Sequence, residues 1–228
     1  MNVLDTAKQV GWLLHKDLVV EYRSRLAWPV MFLLGIIVTI VFSLQTSLPR
    51  EYLPSTASTM LWLATMFAGL VAIDRTGIAE DQDGCSVGLS LYPLSGSTIY
   101  VAKFLVNLCA ILVLLGVLVP IFSLVTDLSL AKHVGAMVIV AVTGSAGLAA
   151  VGTLVSNLTR DLQQRGAVLS VLLLPLLVPL ILAASEATRL IAVDEVGTQW
   201  WRWVQLLVAF AIDFATVGIV LSHYLREE

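Results

Sequence analysis

The residues able to do chemistry are concentrated in one stretch. Asp74, Arg75, Glu80, Asp81 and Asp83 fall within ten residues; Gly84 follows, then a softer run, Leu89, Leu91 and Tyr92, that stops at Pro93. Glu80, Asp81 and Asp83 gather negative charge on about one helical turn, and Gly84 can release the chain into a turn just beyond it. A charge buried in hydrocarbon costs about 2.5 to 3.5 kcal/mol on insertion scales, so these acids must face water or a partner. The pattern predicts a short amphipathic helix and turn against the membrane, between two spanning helices. Two readings are open for it: recognition by charge, as a knob that fits a cleft in a cytoplasmic partner, or acids that only keep a loop in water.

Other polar residues offer less. Gly144-Ser145-Ala146-Gly147 has the look of a nucleophile loop, but His15, His133 and His223 all fall at or outside the membrane edges, so no base is at hand and no catalytic residue is assigned. The same placement argues against a buried histidine pair for haem or metal within this chain. It leaves His133, on the outer side, to contact a cofactor held by a neighbour. Cys85 and Cys109 lack metal-ligand spacing and a clear chance to pair, and are read as structural; no metal site is expected. Asp213 is the one acid within the sixth span, read as a carboxylate for helix packing or a pore. No G-x-x-x-x-G-K-[ST] loop occurs, so any ATP-driven role needs a second polypeptide.

These residues must be positioned by membrane helices. With 58% hydrophobic and 13% charged residues and a mean hydropathy of +0.92, the chain departs from the roughly 25% charged residues of soluble domains. Its net charge of -3 is spread thinly and gives no reason to expect nucleic acid. A span needs about 20 mainly apolar residues. Six stretches approach this: Trp28–Leu48, Ala57–Ile73, Ile99–Val125, Val134–Leu158, Gly166–Ser185 and Trp203–Tyr224. Ahead of them, Val3, Ala7, Val10, Leu14, Leu18 and Tyr22 recur at helical spacing, with Lys8, His15, Lys16 and Arg23 on another side; Trp12 suits the headgroup level.

The expected organisation is an all-α membrane protein: an amphipathic interfacial helix over residues 1–27, then a six-helix membrane domain over 28–228, with a coupling segment at 74–98. A cytoplasmic N-terminus puts nine loop cations inside and four outside, so both termini and the Asp74 stretch are expected in the cytoplasm. Gly144, Ala146, Gly147, Ala149, Ala150 and Gly152 make the fourth span small-sided, for close helix packing. Pro175 and Pro179 each remove a backbone hydrogen bond in the fifth and favour a kink or break. Glu186–Arg202 reads as a short interfacial segment with an aromatic belt at Trp200 and Trp201.

Three stretches, in this order, resemble ABC-2-type exporter permeases and, more narrowly, the CcmB family, the B-type membrane subunit of the cytochrome c maturation transporter. They are Lys16-Asp17-Leu18 with Glu21-Tyr22-Arg23-Ser24-Arg25; Glu80-Asp81 through Asp83-Gly84 to Leu89, Leu91 and Pro93, then Tyr100 and Lys103; and Leu173-Leu174-Pro175-Leu176-Leu177-Val178-Pro179. Such permeases usually carry an acid shortly after the glycine, where this chain has Val87 and Gly88. The resemblance implies a bacterial inner-membrane subunit that couples a partner's ATP hydrolysis to haem export or to release of a haem-loaded periplasmic chaperone. It implies a cytoplasmic ABC ATPase docked on the acidic stretch and a C-type haem-handling membrane subunit, with ATP bound by the ATPase and haem handled by the complex. A homodimer is left open. The rival readings are a general ABC-2 exporter of lipid, polysaccharide or drug, and a non-transport assembly scaffold.

Overall fold

The computed structural model describes residues 9–16, 19, 27–44, 49, 51–82, 95–126, 130–159 and 165–224. Among these the chain is helical throughout. Residues 9–16 form α1, followed by α2 (Ala27–Leu44), α3 (Leu53–Gln82) and α4 (Gly96–Thr126). A 3-10 turn (Leu130–His133) leads into α5 (Val134–Leu158), and α6 (Arg165–Ala192) and α7 (Thr198–Tyr224) complete the bundle. Among the described residues, five helices contain stretches long and apolar enough to cross a membrane: Leu53–Asp74, Gly96–Leu124, Val134–Leu158, Val171–Ala192 and Thr198–Tyr224. The helix at the first expected span, α2, is apolar along its length from Ala27 to Leu44. The chain is therefore an all-α membrane protein.

Local chemistry explains the ends. Pro54 stands in the first turn of α3, where its missing N–H costs nothing, after a turn closed by Tyr52 N–H donating to Pro49 O at 3.0 Å. Ser95 caps α4: its Oγ accepts from Thr98 N–H at 3.2 Å. At the end of α6, Glu195 N–H reaches Leu190 O at 2.8 Å and Asp194 N–H reaches Ile191 O at 3.2 Å, the paired bonds of a Schellman turn. Its left-handed position (φ 66°), usually glycine, is occupied by Asp194, a residue type that tolerates this region better than most.

The centre of the bundle is α5, which packs against α3, α4, α6 and α7. Its small residues let the backbones close up. A Cβ at Gly144 would overlap the Trp62 indole of α3, one at Gly147 would press on Leu180 of α6, and one at Gly152 would overlap Ile73 of α3. Helices in lipid gain little from hydrophobic exclusion, so such close van der Waals approach supplies the association. Trp62 is pinned there, its Nε1–H donating to Thr188 Oγ1 at 2.9 Å.

Two expected boundaries move. The stretch from Asp74 is not a separate helix as far as Gln82: α3 continues without a break past the end of its apolar window at Asp74. Charge marks where hydrocarbon ends, not where backbone hydrogen bonding must end. Likewise Glu186–Arg202 is not a distinct interfacial segment. Glu186 and Arg189, three residues apart, bind each other at 2.6 to 3.0 Å, and α6 runs on to Ala192. Trp200 and Trp201 already belong to α7; Trp200 is buried and Trp201 exposed, their rings edge to face at 5.0 Å. Pro175 and Pro179 lie within α6, both exposed, and the helix runs through them unbroken.

Candidate functional site

The halves of α4, α5 and α7 at the level of Asp74 meet along a polar seam. Tyr100, Lys103 and Asn107 occupy one face of α4 at i, i+3 and i+7, and all are buried. The Tyr100 hydroxyl points between Ala150 O (3.0 Å) and Phe214 O (3.4 Å), linking α5 and α7. Asn107 donates to Thr153 Oγ1 at 2.9 Å, and Asn157 to Ser222 Oγ at 3.4 Å. Gly218 makes room for the Tyr100 ring, which a Cβ there would overlap. Buried polar groups that are satisfied in this way fix one arrangement of the helices. The spacing of Tyr100, Lys103 and Asn107 in an apolar run could have revealed this face; the pairing across to Thr153 and Ser222 could not.

The acidic stretch enters the same level from α3. Ile73 lies over Gly152, the neighbour of Thr153, and the next residue of α3 is Asp74. Its Oδ1 is buried with no hydrogen-bond partner among the described residues. Glu80 and Asp81 ride on the extension of α3, about 9 to 11 Å further along at ~1.5 Å per residue. Asp83, Gly84, Leu89 and Pro93 lie outside the described residues, as do Asp17, Glu21, Arg23 and Arg25 of the N-terminal segment. Lys16 closes α1.

At the opposite end, the turn before α5 is tied to the turn after α6. His133 Nε2 contacts Asp194 Oδ1, and Lys132 Nζ lies 3.6 Å from Asp194 Oδ2. The hydrogen bond from His133, then the charge of Lys132, holds the Asp194 carboxyl below its ordinary value. A depressed carboxylate contributes stability above the unfolded-state pKa of about 3.9, which is lost as pH falls through the lower folded value. Asp194→Asn tolerates the left-handed backbone but removes the charge. Its deficit in thermal midpoint against the parent is therefore expected at pH 6 and should shrink as pH falls below about 4. A deficit unchanged across that range would assign the effect to backbone conformation.

Other features carry no chemistry of this kind. Ser145 is fully buried, and its Oγ has no partner among the described residues; the nearest histidine on its helix, His133, is twelve residues away, about 18 Å by rise. Cys109 is a free, exposed thiol on α4. No group of three potential metal ligands occurs among the described residues. Between α4 and α5, a cavity of about 630 Å³ is lined by residues such as Leu115, Val119, Pro120, Val138 and Val142, and offers apolar contact.

The family model described as "CcmB protein" matches residues 8–224, from the interfacial segment to the end of α7. The chain belongs to the CcmB family. Its relatives include a protein of Bradyrhizobium diazoefficiens, 27% identical over 171 residues and covering 74% of each chain. One from Pseudomonas aeruginosa is 24% identical over 196 residues, 86% of each. One from Rhodobacter capsulatus is 26% identical over 177 residues, 78% of this chain and 81% of the relative. All three are named "Heme exporter protein B". The match spans both the acidic extension of α3 and the polar seam, so family membership covers the whole candidate site.

Proposed function

We propose that this chain is the membrane subunit of an ATP-driven complex that serves haem export for cytochrome c maturation. The observation that carries the reading is the continuity of α3. One helix joins the core contact of Ile73 with Gly152 to the charged positions Glu80 and Asp81, with no hinge assigned between them. A force applied at the acidic end is thus delivered to the level of the polar seam. The family match and the names of the relatives supply the cargo class.

In this reading a separate cytoplasmic ATPase binds ATP and docks on the 74–98 segment, and both termini of this chain lie on the same side in the inner membrane. Haem is handled together with a C-type membrane subunit and a periplasmic chaperone, either as cargo or through release of the loaded chaperone. This chain alone binds no cofactor: the imidazole nearest the outer surface, His133, is already engaged by Asp194.

Purification of the native complex from membranes, with its components identified, tests the reading. Recovery of an ABC ATPase together with haem-handling membrane and periplasmic subunits is expected. An ATPase alone would point to a general exporter, and no ATPase to a scaffold.

A further inference from the structure

The last helix contradicts its surroundings. Its buried residues, Trp200, Val204, Leu207, Gly218 and Ser222, fall on one side, the side that packs against α4, α5 and α6. Diametrically opposite, Arg202, Gln205, Asp213 and Thr216 share an arc of about 80° at 100° per residue, and all four are exposed. Only 17% of this span is buried, against 39% or more in each of the other four.

Asp213 lies two residues past the midpoint of the 27-residue helix, and so close to the middle of the bilayer. It has no hydrogen bond or ion pair among the described residues. Hydrocarbon offers nothing to a carboxyl group. Ionisable side chains at this depth face a bundle interior or a water-filled cavity, or pair with one another. Here none of these is supplied among the described residues. The reading of Asp213 as a carboxylate for helix packing then calls for a helix from outside the described bundle, because the residue is exposed on the side away from it.

We propose that the outer face of α7 is the docking surface for a spanning helix of a different membrane polypeptide, one that presents a lysine or arginine at mid-bilayer depth to Asp213. Charge complementarity selects this occupant over a second copy of the chain. Two copies inserted with the same orientation are related by an axis along the membrane normal, and packing α7 on α7 about that axis sets Asp213 against Asp213. Like charges at close range in a low dielectric oppose such pairing. Gln205 and Thr216, one helical turn or two to either side, supply further hydrogen-bonding groups to fix register, as polar side chains do between membrane helices. This inference does not depend on where the ATPase docks.

The test uses the full chain in native membranes. A photoreactive residue is placed at Ala209 or Val220, on the outward arc, and as controls at Val171 or Val178 on the exposed side of α6. After irradiation the adduct is purified and the cross-linked peptide mapped. The expected result is an adduct, from the α7 positions only, with a spanning segment of another polypeptide that carries Lys or Arg near its centre. Its yield should fall roughly tenfold in Asp213→Leu and recover when the acid and the base are exchanged between the two chains. Asp213→Asn, which keeps the size and removes the charge, should lose it too and covers the case in which the leucine variant accumulates poorly. A self-adduct through α7, an adduct with lipid alone, a partner segment without a central base, or a yield unchanged in both variants would each overturn the proposal.

Discussion

Gly144→Val should leave little folded protein in the membrane, whereas Gly116→Ala should be neutral or slightly stabilising. Both glycines lie within spanning helices, α5 and α4, and a single-residue helix-propensity scale would favour both replacements, alanine by about 1 kcal/mol and valine by a few tenths. What separates them is what a side chain would meet. Nothing lies within 4 Å of a Cβ built at Gly116, but one at Gly144 would run into the six-membered ring of Trp62. That ring cannot swing aside: Trp62 is 2% exposed, and its Nε1–H is held by Thr188, whose own hydroxyl donates to Ala184 O at 2.8 Å. Overpacking a tight core costs about 1 to 3 kcal/mol even where neighbours can shift, and a rigid indole puts valine at or above the upper end. Detergent-solubilised material can be compared by gel filtration and thermal midpoint. Recovery of the Gly144→Val fold by Trp62→Leu would identify the clash as the cause; equal behaviour of the Gly144 and Gly116 variants would show that α5 and α3 are not in this contact.

Why the small-sided helix was legible while other features were not follows from what each depends on. Gly144, Gly147 and Gly152 announce themselves because small residues inside an apolar stretch serve few ends besides close packing, and the structure gives each its neighbour in Trp62, Leu180 or Ile73. Helix ends are different. An apolar run reports the thickness of hydrocarbon, so the Leu53–Asp74 window was visible, but the helix persists to Gln82 because backbone hydrogen bonds form in water as well. At the opposite end of the bundle, Glu186 and Arg189 look like a surface segment until their mutual pairing is seen, which removes the reason for α6 to stop. Direction was hidden too. The last helix gathers Arg202, Gln205, Asp213 and Thr216 on one arc, which by itself reads as the side that meets the bundle, and only the packing of Trp200 and Leu207 turns Asp213 outward. Of the acidic stretch itself, the sequence showed that it is charged; that Glu80 and Asp81 continue a core helix, rather than form a short helix of their own, required coordinates.

That continuity sharpens the expected outcome for Glu80→Lys with Asp81→Lys. Membrane insertion and level should be unchanged, because both positions lie in the charged stretch that follows Asp74 and Arg75 rather than in the apolar run before it. Association with the ATPase should weaken, and cytochrome c maturation should be abolished. Adjacent residues on a helix are about 100° apart, so the pair offers two carboxylates to one cleft. Charge complementarity mainly governs encounter and register, but truncating one partner of a desolvated pair costs about 2 to 5 kcal/mol, a loss of about thirtyfold or more in affinity. Reversal adds repulsion to that loss. A companion variant separates docking from transmission: Ile78→Pro interrupts α3 between the core and the acids, at about 3 kcal/mol or more in helix stability. It should retain the ATPase and still fail in maturation, because the acids are present but no longer joined rigidly to Ile73 and the seam beneath Gly152. Co-purification and a haem stain for mature cytochrome c read both properties in the same cells. A double lysine variant that holds the ATPase normally and supports maturation would reduce the extension of α3 to a solvated helix end, and the coupling route would then have to be sought elsewhere in the bundle.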